Sequence, residues 1–385
     1  MEFRELLLSL ALLWLAAKLA GEGMERIGQT AVLGELLAGV VIGPGVLGLV
    51  HESEVLQVLA ELGILILLFE VGLESDVDDL LRAGLQSVLV AVVGVVVPFV
   101  LGFITMRWLG HPPLLAVFVG ATLTATSVGI TARVLTDLGR LHDNAAKVVL
   151  GAAVADDILG LIILAVVTGI AGGEGMSLAR VGWLAASAVL FLLAAIVLGI
   201  RFAPTLVGWV TLMQARGTLI VYAVVFAFVL SAVADLIGLA AIIGAFAAGL
   251  VLAKTAQRQR IEERIKPVAD LLVPVFFVTV GTKVQPAVLN PFAGGEFGIA
   301  MLLTTIAVVS KLSAGLAVYR PGIRRWPIGV GMVPRGEVGL IFAGSGLAAG
   351  VIAEDLYSAL VAMVMLTTFV APPWLKALYG TSKVK

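Results

Sequence analysis

The stretch Val32-Leu33-Gly34-Glu35-Leu36-Leu37-Ala38-Gly39-Val40-Val41 returns 210 residues later as Ile242-Ile243-Gly244-Ala245-Phe246-Ala247-Ala248-Gly249-Leu250-Val251. Both copies are apolar runs with glycines at the same two places. Two further matches occur in the same order, at the same offset to within one residue. Ala60-Glu61-Leu62 and Phe69-Glu70-Val71-Gly72 correspond to Ala269-Asp270-Leu271 and Val278-Thr279-Val280-Gly281, and Val128-Gly129-Ile130 corresponds to Val338-Gly339-Leu340. One such match in a chain rich in glycine and valine carries little. Three in order at one offset read as a duplicated unit.

The surrounding chain identifies the medium in which that unit folds. It has 385 residues, 60% hydrophobic and only 13% charged, with a mean hydropathy of +1.11. Soluble domains run nearer 45–50% apolar and about 25% charged, so an all-α polytopic membrane protein is expected and soluble enzymes and nucleic-acid binders are excluded. With 25 basic against 26 acidic residues there is no net field to draw in a polyanion. The chain has no cysteine, and His51, His111 and His142 lie far apart, which leaves no thiolate chemistry and no histidine metal cluster. Leu6–Ala17 comes after a leader that is not net positive, and Lys18 and Glu22 break the chain just beyond it where a cleavage site would fall. It therefore reads as a retained first span and not as a cleaved signal.

Apolar runs separated by charged or Pro/Gly breaks mark about thirteen transmembrane helices, near 4–20, 31–50, 55–73, 84–106, 112–135, 144–171, 179–201, 217–235, 237–253, 268–282, 297–318, 327–349 and 355–377. With that count, nineteen of the 25 basic residues fall on one side of the membrane, which the positive-inside rule makes cytoplasmic. The N-terminus is then outside and the C-terminus inside. Dropping the short tenth span would carry Arg320, Arg324, Arg325 and the basic tail to the outer side, so it is kept. Seven spans separate the second helix from the ninth, an odd number, so the copies cross the bilayer in opposite senses. Inverted-topology repeats of six helices, joined by the seventh as a linker, are an architecture of secondary transporters.

The third match carries the mechanism. Thr124-Ala125-Thr126-Ser127-Val128-Gly129-Ile130-Thr131 interrupts the fifth span and Val333-Pro334-Arg335-Gly336-Glu337-Val338-Gly339 the twelfth. Irregular backbone at membrane depth is tolerated where it lines a cavity or is buried in protein, and corresponding interrupted helices in two inverted halves point to a binding site. The crossing of these discontinuous helices is expected at Thr126, Ser127, Val128, Gly129, Gly336, Glu337 and Gly339. Their half-helix ends carry partial charges that Glu337 would compensate at N-terminal ends and Arg335 or Lys311 at C-terminal ends. Thr126 and Ser127 have a plainer alternative, bonding back to their own helix.

Asp156 and Asp157 stand about halfway along the sixth span, in Gly151-Ala152-Ala153-Val154-Ala155-Asp156-Asp157-Ile158-Leu159-Gly160. An ionised aspartate there costs about 2.5–3.5 kcal/mol even on lenient scales. Adjacent helical residues point about 100° apart, so one carboxylate meets a partner helix while the other faces a cavity. Lys311, alone among the lysines at mid-span, is the partner expected; a purely structural ion pair is the bland alternative. Carboxylate and hydroxyl oxygens suit a hard cation, with Asp157, Asp156 and Thr126 as its transient ligands, and a proton would compete with it for one carboxylate. Glu35 and Glu61 lie toward helix ends, Glu70 sits deeper in the third span with no role decided, and His142 reads as a solvated loop residue.

These motifs resemble those of the bacterial sodium/proton antiporters of the cation:proton antiporter superfamily, in its CPA2 branch and most closely the NapA-type members, over about residues 20–375. The resemblance implies that Asp157 carries the cation and the proton, and that Asp156 pairs with Lys311 until sodium binds. It implies a core of helices 4–6 and 11–13 (84–171 and 286–385), moving like an elevator against a gate and dimer domain of helices 1–3 and 8–10 (1–83 and 215–285), with 172–214 as the linker. Electrogenic exchange, a homodimer, a bacterial inner-membrane location and no cofactor beyond the transported ions are implied too. Potassium/proton exchange is the near alternative, and a sodium-coupled organic-anion symporter of the same fold a more distant one. An intramembrane protease would need Gly-x-Gly-Asp, which is absent, and a prenyltransferase spaced Asp-x-x-x-Asp clusters, also absent.

Overall fold

The computed structural model describes residues 3–27, 29–51, 53–74, 77–171, 178–211, 213, 215, 217–283 and 295–380. Among them there is helix and no strand. In chain order the helices are α1 (Phe3–Arg26), α2 (Ala31–Ile42), α3 (Glu54–Glu74), α4 (Val77–Trp108), α5 (Pro113–Thr124), α6 (Val128–Asp137), α7 (Asn144–Ala171), α8 (Leu178–Thr211), α9 (Thr218–Leu236), α10 (Ala241–Ala253), α11 (Arg258–Thr282), α12 (Gly295–Leu312), α13 (Arg325–Gly331), α14 (Glu337–Ala348) and α15 (Glu354–Tyr379). A 3-10 turn, Ser313–Ala317, extends α12. Eight stretches among the described residues are long and apolar enough to cross a bilayer, the pair Pro113–Asp137 counting as one. The chain is a multi-pass membrane protein.

Several boundaries differ from the sequence expectation, each for a local reason. The second span ends at Ile42 and not near 50: Gly43 and Pro44 stop the helix, Gly48 turns with φ 60°, and Leu49 N–H donates back to Ile42 O at 2.9 Å. The ninth begins at Ala241 because Gly238 takes φ 82°. The tenth, short in sequence, starts ten residues earlier at Arg258 and absorbs Pro267 and Pro274. The seventh runs on to Thr211, with a 51° bend between Leu193–Gly199 and Arg201–Val210, near Pro204.

By its contacts the chain forms two compact units. One comprises Met1–Glu52, Ala83–Val181 and Val278–Lys385; the other comprises Ser53–Arg82 and Gly182–Phe277. The repeated glycines do the same work in each. In the first unit, a Cβ on Gly39 would strike the backbone of Val278 and Gly281, and one on Gly281 would strike Leu36 and Gly39. In the second, Gly249 lies equally tight on Phe69 and Leu73, and Gly72 on Phe246 and Gly249. Small residues allow such backbone-to-backbone approach, which drives helix association in lipid. Gly249→Val is therefore expected to lower the thermal midpoint in detergent by about 2–4 °C, since overpacking costs about 1–3 kcal/mol and a kcal/mol moves a chain of 385 residues by about 1 °C. Gly298→Ala, with nothing within 4 Å of the added carbon, is the control expected to change little.

Within the first unit two apolar clusters flank the interrupted helices. One gathers Phe118, Leu123, Leu303, Phe342, Met363 and Val364; the other joins Val90, Val148, Ala152, Ile328 and Met332.

Candidate ion-translocation site

The two interruptions meet. After α5 the backbone is extended at Ala125 (φ −54°, ψ 144°) and Ser127 (φ −82°, ψ 105°) before α6 begins at Val128. After α13 residues 333–336 form no regular element until α14 begins at Glu337. Ser127 N–H donates to Pro334 O at 2.8 Å, and Thr131 Oγ1–H donates to Gly331 O at 2.6 Å, tying α6 to the end of α13. Gly336 has to be a glycine for space: a Cβ would sit 2.7 Å from Ser127 Oγ. Gly339 faces Val364, and Val128 and Gly129 are buried at the start of α6.

Arg335 is fully buried. Its Nη1 donates to Met332 O (3.3 Å) and Val333 O (3.4 Å) and its Nη2 to Ala307 O (3.2 Å). Those first two carbonyls come just after the last turn of α13, so the guanidinium sits at the negative end of that half-helix. Thr368 Oγ1–H in turn donates to Arg335 O at 2.6 Å. Glu337 opens α14, but its side chain lies outside the described residues.

Lys311 Nζ lies 3.3 Å from Asp156 Oδ1 and 3.4 Å from Oδ2, with the two side chains 0% and 1% exposed. The lysine reaches this depth past Gly94, where a Cβ would sit 3.5 Å from Nζ. Asp157, next along α7, is also buried and close enough to interact electrostatically with Lys311. Thr126 and Ser127 are both buried, yet their hydroxyls have no hydrogen-bond partner of normal geometry; Thr126 faces Asp156. Back-bonding occurs instead at Thr122 and Thr124.

The structure thus gathers Asp156, Asp157, Lys311, Arg335, Thr126 and Ser127 into one buried, polar region. Fully ionised, its two carboxylates and two cations cancel. Among the described residues no three His, Cys, Asp or Glu side chains come together as a metal cage; the oxygens gathered here are carboxylates and buried hydroxyls, donors that suit a hard cation. Sequence reasoning did not single out Thr368, Thr131 or Gly94. Thr131 lay inside the quoted motif; nothing marked the other two, whose partners are remote in sequence.

The family model described as "Sodium/hydrogen exchanger, transmembrane" matches residues 9–379. The chain belongs to this family. As a sodium/hydrogen exchanger family member it is a transport protein and not an enzyme. It is similar to the high-affinity Na(+)/H(+) antiporter NhaS3 of Synechocystis, 42% identical with 98% of this chain and 90% of the relative covered. It is also similar to the Na(+)/H(+)-K(+) antiporter GerN of Bacillus cereus, 38% identical with 99% and 97% covered. Its fold matches that of the sodium proton antiporter MjNhaP1 of Methanocaldococcus jannaschii, with a TM-score of 0.69, 16% identity and 97% of each chain covered.

Proposed function

We propose that this exchanger moves sodium or lithium out of the cytoplasm in return for external protons. The observation that carries this reading is the pair of adjacent buried carboxylates, one held by a buried lysine, beside the buried Thr126 and Ser127 hydroxyls at the interrupted helices, the first of them facing Asp156. Asp157 takes either a proton or the cation. With Asp157 protonated the buried set carries one net positive charge; the cation binds as Asp157 releases its proton, so the buried charge is the same before and after and no further charge has to be buried. If Asp156 shares in binding, Lys311 loses its partner, and a second proton leaves with it. Two protons for one cation would move one net charge. At about 100 mV that supplies about 2.3 kcal/mol, a sodium gradient of about fortyfold at 1.4 kcal/mol per tenfold.

The access change is an elevator movement of residues 84–171 and 286–385 against residues 1–83 and 215–285, in a homodimer of the bacterial inner membrane, with the N-terminus outside. The charge asymmetry of the loops supports that orientation, and the duplicated glycine crossings support the repeat from which alternating access arises.

In everted vesicles or proteoliposomes with an imposed pH gradient, sodium and lithium are each expected to release protons, with a measurable current on a solid-supported membrane. Silence toward every monovalent cation would overturn exchange, and proton release without current would overturn the two-proton count alone. Potassium is the second reading, favoured by the resemblance to the Bacillus cereus relative whose name includes it. A response to potassium greater than to sodium would establish that reading in place of the first.

A further inference from the structure

The short connection between α1 and α2 is gripped from outside by two charged side chains. Thr30 stands at the N-cap of α2 with extended backbone (φ −83°, ψ 147°), but makes no capping hydrogen bond, and its hydroxyl is buried without a partner. A threonine at this position ordinarily accepts from the N–H of the second or third helical residue. That of the second, Val32, faces the carboxylate of Asp137 instead, at the far end of α6. Asp137 is also paired with Arg133 at 3.0 Å, with side chains 17% and 13% exposed. Lys18 and Glu25 of α1 are the other charged groups facing it. One residue before Thr30, the Gln29 carbonyl accepts from Lys376 Nζ of α15 at 3.2 Å.

The carboxylate thus faces an N–H at the positive end of α2 and the ammonium holds a C=O in the same turn, each charge matched to its dipole. Both anchors sit on elements that build the ion site. α6 starts at the crossing, beside Ser127, and α15 holds the Arg335 carbonyl through Thr368. Val32 N–H has two acceptors nearby, a remote carboxylate that it faces and a neighbouring hydroxyl in reserve. A donor with a local substitute can be released without being left orphaned, which would otherwise cost a full desolvation penalty.

We propose that Asp137 and Lys376 are positioning residues that latch the α1–α2 connection to the site-bearing helices in one of the two access states, and that Thr30 recaps α2 when Asp137 withdraws. The inference rests on the exchange reading of the site. A latch acts on populations: it favours cation binding at the face to which the latched state opens and disfavours it at the other.

The test measures the apparent sodium KM at each face, using right-side-out and inside-out preparations. Asp137→Ala and Lys376→Met are expected to shift the two constants severalfold in opposite directions. Thr30→Ala, which removes the substitute cap, shifts both the other way, and Asp137→Asn, which keeps an acceptor for Val32, stays nearer the native values. Constants that move together, or only a fall in Vmax, would overturn the latch; Lys376→Met, at a partly exposed position, keeps the test decisive if Asp137→Ala does not fold. A second readout does not depend on transport. The chain has no cysteine, so a single one placed at Gln29 is expected to label with an impermeant maleimide several times faster once Asp137 or Lys376 is replaced. Unchanged labelling would also overturn the latch, whereas loss of sodium-driven proton movement in the unmodified protein would overturn the exchange reading itself.

Discussion

Asp157→Asn is expected to abolish exchange while leaving the fold intact. The amide has nearly the volume of the carboxyl and hydrogen-bonds as a neutral group, so burying it costs less than burying an ionised aspartate. It can neither release a proton nor balance an incoming cation. Interactions of a buried carboxylate with a charged partner are worth about 3 kcal/mol or more, so cation-coupled proton flux should fall by at least about a hundredfold. The thermal midpoint should match the native protein or exceed it. Proteoliposome proton flux and a melting curve on the same sample give both numbers. If Asp157→Asn transports normally and Asp156→Asn does not, the two carboxylates exchange roles.

Much of this site was legible in the sequence, because lipid makes the signals stark. A mid-span lysine has few ways to be accommodated, and Lys311 had only Asp156 and Asp157 as obvious candidates; the structure joins it to Asp156. The interruptions at Thr126–Val128 and Pro334–Gly336 were visible as hydroxyls, proline and glycine at matching places in two copies. The tight glycines announced themselves by recurring at one offset. What the sequence could not reveal was choice among partners. Thr122 bonds back to its own helix and Thr126 does not, although both are threonines in the same span; the difference is set by where the helix breaks. Arg335 was expected near a C-terminal helix end, but its third acceptor, Ala307, lies on another helix and arises from packing alone. Boundaries failed where a glycine took positive φ, at Gly48 and Gly238, since an apolar run looks the same whether or not it turns.

Lys311→Met should be the most destabilising single change in the site, and Asp156→Asn/Lys311→Met should undo most of the damage. The native pair is almost wholly withdrawn from solvent, so removing the lysine strands a buried carboxylate, for which about 3–5 kcal/mol is the usual cost. For a chain of 385 residues that is a drop in thermal midpoint of about 4–6 °C. Removing both charges leaves neutral groups of similar volume, a change that is often tolerated or stabilising. It also leaves Asp157 and Arg335 as a balanced pair, so cation and proton still compete for one carboxylate. Exchange should therefore persist in the double variant, but with one proton per cation and no net charge moved. Melting curves on the single and double variants, with currents on a solid-supported membrane, separate the two parts. A double variant as unstable as the single would mean that Lys311 does more for the fold than balance Asp156. Undiminished current from a stable double variant would mean that the second proton travels elsewhere, and the switchable pair would have to be abandoned as the source of electrogenicity.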